Sequence, residues 1–396
     1  MSLSTLGWDV FFENAFQPFS AAGLVPARVA LQHKHAYELL SAHGAIAAEC
    51  TGRLLHTANG RGELPAVGDW VAVRLRSGET PAGPAQRPRA DIHAVLPRRT
   101  KFSRRAPGDT EVEQIVASNV DTVLLVTALD QNFNLRRIER YLAVAWESGA
   151  QPVIVLNKSD LHSDPAGARS EVVAIAGGAP VVVLSALVSS IPQYPFPKIG
   201  DRSALQDHDI GMSESCKESD VAVALEPWLV PGRTLALLGS SGVGKSTLIN
   251  RLLGAERQST NEISDAVGKG RHTTTHRELI VAPSGALVID TPGMRELQLW
   301  DVDAGALDHA FADIAALAAR CRFRDCTHRA EPDCAIQAAL DDGSLDLERW
   351  QSFQKLQREQ AYAARKADPR LARETKADWR RIHKALRATS RLKPGE

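Results

Sequence analysis

From about Val25 to Leu96 apolar and polar positions alternate in short runs, ARVALQ, TGRLLHT and GDWVAVRL, separated by turn-forming stretches such as HTANGRGE and RSGETPAGPAQ. In the last run Val71, Val73 and Leu75 fall on one side of a strand and Trp70, Ala72 and Arg74 on the other, the period-2 pattern of a half-buried sheet. About five such strands predict a small all-β barrel; an OB-fold suits the length, and an SH3-like barrel would give much the same pattern. From Asn119 the texture changes. Continuous runs DTVLLVTA, PVIVLNKSD and PVVVLSAL alternate with helical periods near Asn134–Glu147 and Pro165–Ala176, and RTLALLGSSGVGKSTLINRLLG, RELIVA and GALVIDTPG follow. Unbroken Val/Leu/Ile strands with intervening helices predict an α/β unit whose mostly parallel sheet is buried on both faces. Beyond residue 300 the runs AGALDHAFADIAALAARC, DCAIQAALDDG and LDLERWQSFQKLQREQAYAARKA read as helices, with a break at Asp368-Pro369.

The chain therefore divides into an N-terminal extension (1–24), the barrel (25–106), the α/β unit (107–300), a helical unit (301–366) and a tail (367–396). The stretch 189–220, with PQYPFPKIGDRS and SESCKESD, is too polar and Pro-rich for a core and reads as an insert in the α/β unit. Between barrel and α/β unit, PRRTKFSRRAPG packs Arg98, Arg99, Lys101, Arg104 and Arg105 together. Such a run is ordinarily a solvated linker.

Composition adds bounds. The 396 residues are 44% hydrophobic and 24% charged, ordinary for globular domains and unlike disordered or collagenous chains. The first residues lack a basic stretch ahead of a long apolar run, and no window offers an apolar membrane span, so the expectation is a cytoplasmic protein without a membrane partner. Of five cysteines, Cys50 and Cys216 stand alone while Cys321, Cys326 and Cys334 crowd together, which is not a disulfide framework. Net charge is zero, which at first argues against a nucleic-acid partner. The zero is an average, however: residues 24–105 hold 13 basic and 6 acidic side chains, residues 351–396 hold 13 and 5, and residues 106–350 hold 21 and 34. Basic ends flank an acidic middle, as expected where the ends grip a phosphate backbone.

Gly239-Ser240-Ser241-Gly242-Val243-Gly244-Lys245-Ser246-Thr247 fits the phosphate-binding pattern G-x-x-x-x-G-K-[ST], between an apolar strand and a helix. Its glycines let backbone N–H groups curl around phosphate oxygens, Lys245 reaches the β/γ-phosphates and the Ser246 hydroxyl ligates Mg²⁺. Asn157-Lys158-Ser159-Asp160, directly after a strand, supplies base identity. An aspartate accepts both N1–H and N2–H of guanine, the lysine stem lies along the base, and the asparagine ties neighbouring loops. Ser185-Ala186-Leu187 ends the next strand as a second base-contacting turn. Asp290-Thr-Pro-Gly293 supplies a water-mediated Mg²⁺ contact through Asp290 and a γ-phosphate-sensing N–H at Gly293. In GKGRHTTTHREL, Thr274 is the first choice for the second Mg²⁺ ligand, with Thr273 and Thr275 as alternatives.

The order matters. Ordinary GTPases run P-loop, switch threonine, DxxG, NKxD, SAx, whereas here NKSD and SAL precede the P-loop. A circular permutation preserves the pocket because all five elements stand at the carboxyl ends of neighbouring strands. Met294 follows Gly293 where many GTPases carry the glutamine that orients the attacking water; His272 is the first candidate for that role and His276 the second. Gly242 stands where potassium-activated GTPases carry asparagine, so no K⁺ requirement is inferred.

Cys321, Cys326, His328 and Cys334 form C-x4-C-x-H-x5-C. Three thiolates and one imidazole suit a closed, structural, tetrahedral Zn²⁺. Arg320, Arg322, Arg324 and Arg329 surround it.

Together GSSGVGKST, the upstream NKSD, GRHTTTHREL, DTPGMREL and CRFRDCTHRAEPDC resemble the ribosome small-subunit-dependent GTPase A family (RsgA, also called YjeQ or EngC), over about residues 25–365. The resemblance implies a multidomain fold of OB-fold barrel, circularly permuted GTPase and mainly α zinc-binding domain. It also implies a monomer that binds GTP or GDP and the small (30S) ribosomal subunit with its rRNA, promotes late maturation of that subunit, and hydrolyses GTP to trigger release. The family's catalytic histidine falls on His272, beside Thr274 and Lys245. Alternatives are a permuted GTPase of the large subunit and a zinc-dependent RNA-binding module whose nucleotide pocket is regulatory. The family accounts for neither the insert nor the length of the tail.

Overall fold

The computed structural model describes residues 2–33, 36–76, 88–106, 109–187, 221–254, 277–290, 304–329 and 331–367. The insert, the tail beyond Ala367, and His272, Thr273, Thr274, Thr275, His276, Gly293 and Met294 lie outside the described residues. Two compact units divide the chain, residues 1–104 with 112–298, and residues 105–111 with 299–396.

The first unit begins with five strands, β1 (Val25–Gln32), β2 (Tyr37–Ser41), β3 (Gly44–Cys50), β4 (Trp70–Leu75) and β5 (Arg89–Val95). They run β1-β2-β3-β5-β4 and close with β4 back on β1. β3 and β5 are parallel and the other neighbours antiparallel. This closed, OB-like barrel is the first of the two expected architectures. Ala27, Val29, Leu39, Ile46, Val71, Val73 and Ile92 fill it. The run TGRLLHT is not a strand: it forms helix α2 (Gly52–Thr57), because the Thr51 hydroxyl caps it by accepting the Leu54 N–H at 3.3 Å.

Trp70 and Ala72, on the opposite side of β4 from Val71 and Val73, are just as buried. The cover is the N-terminal segment. Helix α1 (Val10–Ser20) starts on Asp9, whose carboxylate accepts the Phe11 N–H at 3.0 Å, and it buries Phe12 and Phe16. Trp8 meets Trp70 edge-on at 4.7 Å between ring centroids. Leu6, Phe12 and Phe16 of the N-terminal extension are thus buried in this unit.

The basic run is likewise not a solvated linker. Arg98 clamps the fully buried Asp69 through Nε at 2.8 Å and Nη2 at 2.6 Å. Arg99 pairs with Asp9 at 2.5 Å and lies over the rings of Phe11 and Phe12. Phe102 is buried, and the segment continues as β6 (Lys101–Ala106), paired with β7 (Asp109–Ser118). Its counter-charges stand far away along the chain, where local patterning does not reveal them. Removing one partner of a buried pair strands the other charge, so Asp69→Ala is expected to cost about 3–5 kcal/mol. Urea denaturation would measure this, and a midpoint equal to wild type would contradict it.

Arg28 joins barrel to α/β unit. Its side chain donates to the carbonyls of Gly68 at 3.2 Å, Leu6 at 2.5 Å and Asn119 at 3.0 Å, and to the Thr234 hydroxyl at 2.9 Å. Burial pushes its pKa down to about 10, against the opposing charges of Asp121 and Asp69, so it stays cationic near neutral pH.

The α/β sheet contains β8 (Thr122–Ala128), β9 (Gln151–Asn157), β10 (Val181–Val183), β11 (Thr234–Leu238), β12 (Glu278–Val281) and β13 (Leu287–Asp290). Their spatial order is β10-β9-β8-β11-β13-β12, all parallel except β12. Counted from β11, that order becomes 6-5-4-1-3-2, a doubly wound sheet entered at a new point in the chain. Every residue of β8 and β11 is buried, as their unbroken apolar runs required. Helices α3 (Leu135–Ser148), α4 (Pro165–Ile175), the short α5 (Val221–Ala224) and α6 (Lys245–Leu253) complete the layers.

The second unit holds α7 (Ala304–Ala310), α8 (Ala312–Ala318), α9 (Ala335–Asp341) and α10 (Leu347–Ala367). The first helical run is broken at Phe311, whose buried ring packs edge-on against Phe353 at 5.4 Å and under the Arg349 guanidinium at 4.8 Å.

Candidate functional site

The loop Gly239–Gly244 leaves the buried end of β11 and turns into α6. Two of its glycines are obligatory. A Cβ on Gly239 would stand 2.2 Å from the Val126 carbonyl oxygen, and one on Gly244 (φ +94°) would stand 2.3 Å from Asn157 Nδ2. Lys245 Nζ folds back over the loop and donates to the Gly239 carbonyl at 2.8 Å and the Ser240 carbonyl at 2.5 Å. Ser246 and Thr247 follow in the first turn of α6, and Ser241 and Gly242 form the exposed tip.

Asn157 is where three sequence motifs meet. Its Nδ2 donates to the Val243 carbonyl at 2.8 Å, and its Oδ1 accepts the Ala186 N–H at 3.0 Å. The side chain is 2% exposed, so both bonds are shielded from water. One carboxamide thereby locks the P-loop, the NKSD turn and the SAL turn at a common register. The Ser185 hydroxyl donates to Asp160 Oδ1, which orients that carboxylate from behind. The Ser159 N–H donates to the Leu184 carbonyl at 3.3 Å. Asp290 ends β13, and the parallel pairing Ala236↔Ile289 puts it at the same end of the sheet as the P-loop.

Three participants were not anticipated. Asp130, just beyond β8, accepts from Lys158 Nζ at 3.0 Å and from the Asn132 N–H at 2.9 Å. Burial opposes its charge, but those donors outweigh burial and hold its carboxyl below the ordinary value. The lysine, itself in left-handed backbone (φ +59°), is thereby anchored at its tip. Arg137 on α3 reaches the Ser240 hydroxyl at 3.3 Å, and Arg251 on α6 donates to the Ala186 carbonyl at 3.2 Å. Asp130 had a signal, an acid at the carboxyl end of a buried strand. The arginines, on polar helix faces, had none.

In the second unit the four Cys/His side chains converge, with their ligand atoms all within 4.8 Å of one another. His328 Nδ1 lies 3.5 Å from both Cys321 Sγ and Cys334 Sγ, and those sulfurs are 4.0 Å apart. A tetrahedron with Zn–S near 2.3 Å and Zn–N near 2.0 Å has edges of roughly 3.5–3.8 Å, so the donor set fits a metal ion. Burial resists ionisation of Cys321, but the Ala335 and Ile336 N–H groups at the start of α9 outweigh it and lower that thiol's pKa. Glu331 braces the loop by accepting the N–H groups of Thr327 and Arg329, each at 2.9 Å. Hydrogen bonds from the Thr327 hydroxyl and then from the Arg329 N–H hold its carboxyl far below the ordinary range. Gln337 fixes His328 from the other side by donating to its carbonyl at 2.6 Å.

A family model described as RsgA GTPase matches residues 95–193 and 203–300. The small ribosomal subunit biogenesis GTPase RsgA of Opitutus terrae is 59% identical over 392 residues, covering 99% of each chain. Its namesake in Syntrophotalea carbinolica is 42% identical over 404 residues, covering 97% of this chain and 99% of its own. Among solved structures, YjeQ from Thermotoga maritima aligns with TM-score 0.56 at 23% identity, over 85% of this chain and 98% of its own. YloQ, described as a circularly permuted GTPase, aligns at 0.53 and 21%, over 85% and 95%.

Proposed function

The chain belongs to the RsgA family of GTPases, and from that premise we propose that it binds the small (30S) ribosomal subunit, promotes its late maturation and leaves when its GTP is hydrolysed. The observation that carries the reading is the meeting of P-loop, NKSD and SAL turns on Asn157, in a chain that also holds a Cys/His cluster. A nucleotide pocket specific for guanine and a metal-braced loop carrying exposed arginines suit a protein that times its own residence on RNA.

In this reading Asp160 and Lys158 hold guanine, with Ser185 and Ala186 closing the base pocket, and the N–H groups of residues 239–247 cradle the phosphates. Lys245 exchanges its two carbonyl acceptors for β/γ-phosphate oxygens. Ser246, Thr274 and Asp290 would hold Mg²⁺, which supplies positive charge against the triphosphate. Water attacks the γ-phosphorus in line as the bond to the β–γ bridging oxygen breaks, giving GDP and phosphate. His272 orients that water in place of the glutamine replaced by Met294, and the Gly293 N–H reports γ-phosphate loss. Cys321, Cys326, His328 and Cys334 would hold one structural Zn²⁺. The domain limits proposed above, a monomeric state and a cytoplasmic location complete the reading; among the described residues no helix is long and apolar enough to cross a membrane.

Co-sedimentation with isolated small and large subunits, in GDP and in a non-hydrolysable GTP analogue, tests it. Pelleting with the small subunit alone, stronger with the analogue, is expected. His272→Ala is expected to keep GTP affinity and lose about 10²–10⁴-fold of subunit-stimulated turnover. Equal pelleting in both nucleotide states would defeat the timing role, and undiminished turnover would remove His272 from it.

A further inference from the structure

The metal-cluster loop carries a feature that neither the nucleotide pocket nor the metal accounts for. Between Cys321 and Cys326 the chain turns tightly, with the Cys326 N–H donating to the Phe323 carbonyl at 3.3 Å. Phe323 occupies that turn 42% exposed. A single exposed apolar side chain is ordinary; the surroundings of this one are not. The Arg322 guanidinium lies 5.4 Å from the ring centroid and is held by Asp333 through an ion pair of 2.9 Å. Arg320, Arg324 and Arg329 are all exposed in the same short stretch, and among the described residues none of the three is ion-paired. Both ends of the turn are cluster ligands, so the ring is displayed on a braced loop rather than on a floppy one.

We propose that Phe323 and Arg322 form a stacking platform for an unpaired nucleobase of the small subunit's rRNA, with Arg324 and Arg329 taking the flanking phosphates. This rests on the small-subunit partner argued above. The chemistry favours RNA over an apolar protein surface. An aromatic ring with a guanidinium beside it offers flat, polarisable faces that accept any base, and unpaired arginines supply charge for the backbone on either side. A protein-docking apolar patch would want several contiguous hydrophobes, whereas this turn offers one ring among cations. The arrangement also separates two contributions. Stacking depends weakly on salt, while phosphate contacts release counterions and set the salt slope.

The test uses the full chain with its metal, titrated against isolated small subunits and, separately, against a single-stranded oligoadenylate, over a KCl series. Phe323→Ala is expected to weaken both interactions roughly 5- to 150-fold with an unchanged salt slope. Phe323→Trp is expected to bind at least as tightly as the parent, and Phe323→Leu to behave as Phe323→Ala. Arg324→Gln is expected to flatten the salt slope by about 0.7. Zinc content and melting temperature, measured on every variant, separate lost stacking from a collapsed loop. Parent-like binding by Phe323→Ala, or equal binding by Phe323→Leu and Phe323→Trp, would overturn the platform. Absence of small-subunit binding in the parent would overturn the partner reading instead, and the oligoadenylate arm would still decide whether the ring stacks on bases.

Discussion

Asp160→Asn is expected to lower affinity for GTP by on the order of 10²–10⁴-fold, because two charge-assisted hydrogen bonds to the base edge are lost or reversed. The carboxylate can accept from both N1–H and N2–H of guanine, and the Ser185 hydroxyl on its Oδ1 restrains its rotation. A carboxamide retains one acceptor and turns the other position into a donor that meets the guanine amino group head-on. Xanthine carries a carbonyl at that position. The same variant is therefore expected to bind xanthosine triphosphate better than GTP, while Ser185→Ala, which only loosens the carboxylate, should weaken GTP without changing the preference. Competition of both triphosphates against a fluorescent GDP analogue reads this directly. A variant that keeps its preference for GTP would mean that Asp160 does not face the base.

The pocket was readable in the sequence because its chemistry is local. A P-loop, an NKSD turn and an SAL turn each need a few contiguous residues at a strand's end, and buried strands announce themselves as unbroken apolar runs. The permutation was readable for the same reason, since motif order is a property of the chain. What local patterning missed is what depends on partners far away. Alternation along β4 does not reveal that both its sides are buried, because the aromatic side chains that meet Trp70, Trp8 and Phe12, come from the N-terminal segment. Arg98 and Arg99 looked like a solvated run because Asp69 and Asp9, which neutralise them, precede them by many residues. Arg28 gives no sign in sequence of being wholly buried.

Those pairings alter the electrostatic argument as well. The basic excess of residues 24–105 had counted Arg28, Arg76, Arg98 and Arg99 as surface charge. Arg28 is interior, Arg98 and Arg99 are neutralised by carboxylates, and Arg76 pairs with Asp91 at 2.6 Å and Glu49 at 3.3 Å. Asp69, Asp91 and Glu49 already stand among the six acids of that count, so the basic excess shown to solvent is lowered only by the burial of Arg28 and by the pairing of Arg99 with Asp9. Arg320, Arg324 and Arg329 near the Cys/His cluster, in a stretch whose composition is acidic overall, are exposed and offer further charge to a phosphate backbone.

Stripping the metal is expected to melt the second unit and spare the first. The second unit's core is small, built on Phe311, Ile314, Ile336, Trp350 and Leu356, and units of this size commonly depend on a metal or disulfide. Cys334 is 5% exposed and sits at the N-cap of α9, and His328 meets Trp350 of α10 edge-on at 5.8 Å, so both helices are tied to the cluster. Loss of the ion is expected to cost on the order of 10 kcal/mol, the scale of structural zinc binding near pH 7. Because cysteine and histidine must be deprotonated to bind, the release should also occur as pH falls, protons displacing the metal. A chromogenic chelator would count the ion released, circular dichroism would follow helix loss, and fluorescent GDP binding would report on the pocket. Cys334→Ser should mimic stripping, whereas Cys50→Ser should not. GDP affinity is expected to survive, since Asn157, Lys158, Asp160 and Lys245 all belong to the first unit. Retention of the helical signal after complete metal release would show that packing alone sustains the second unit.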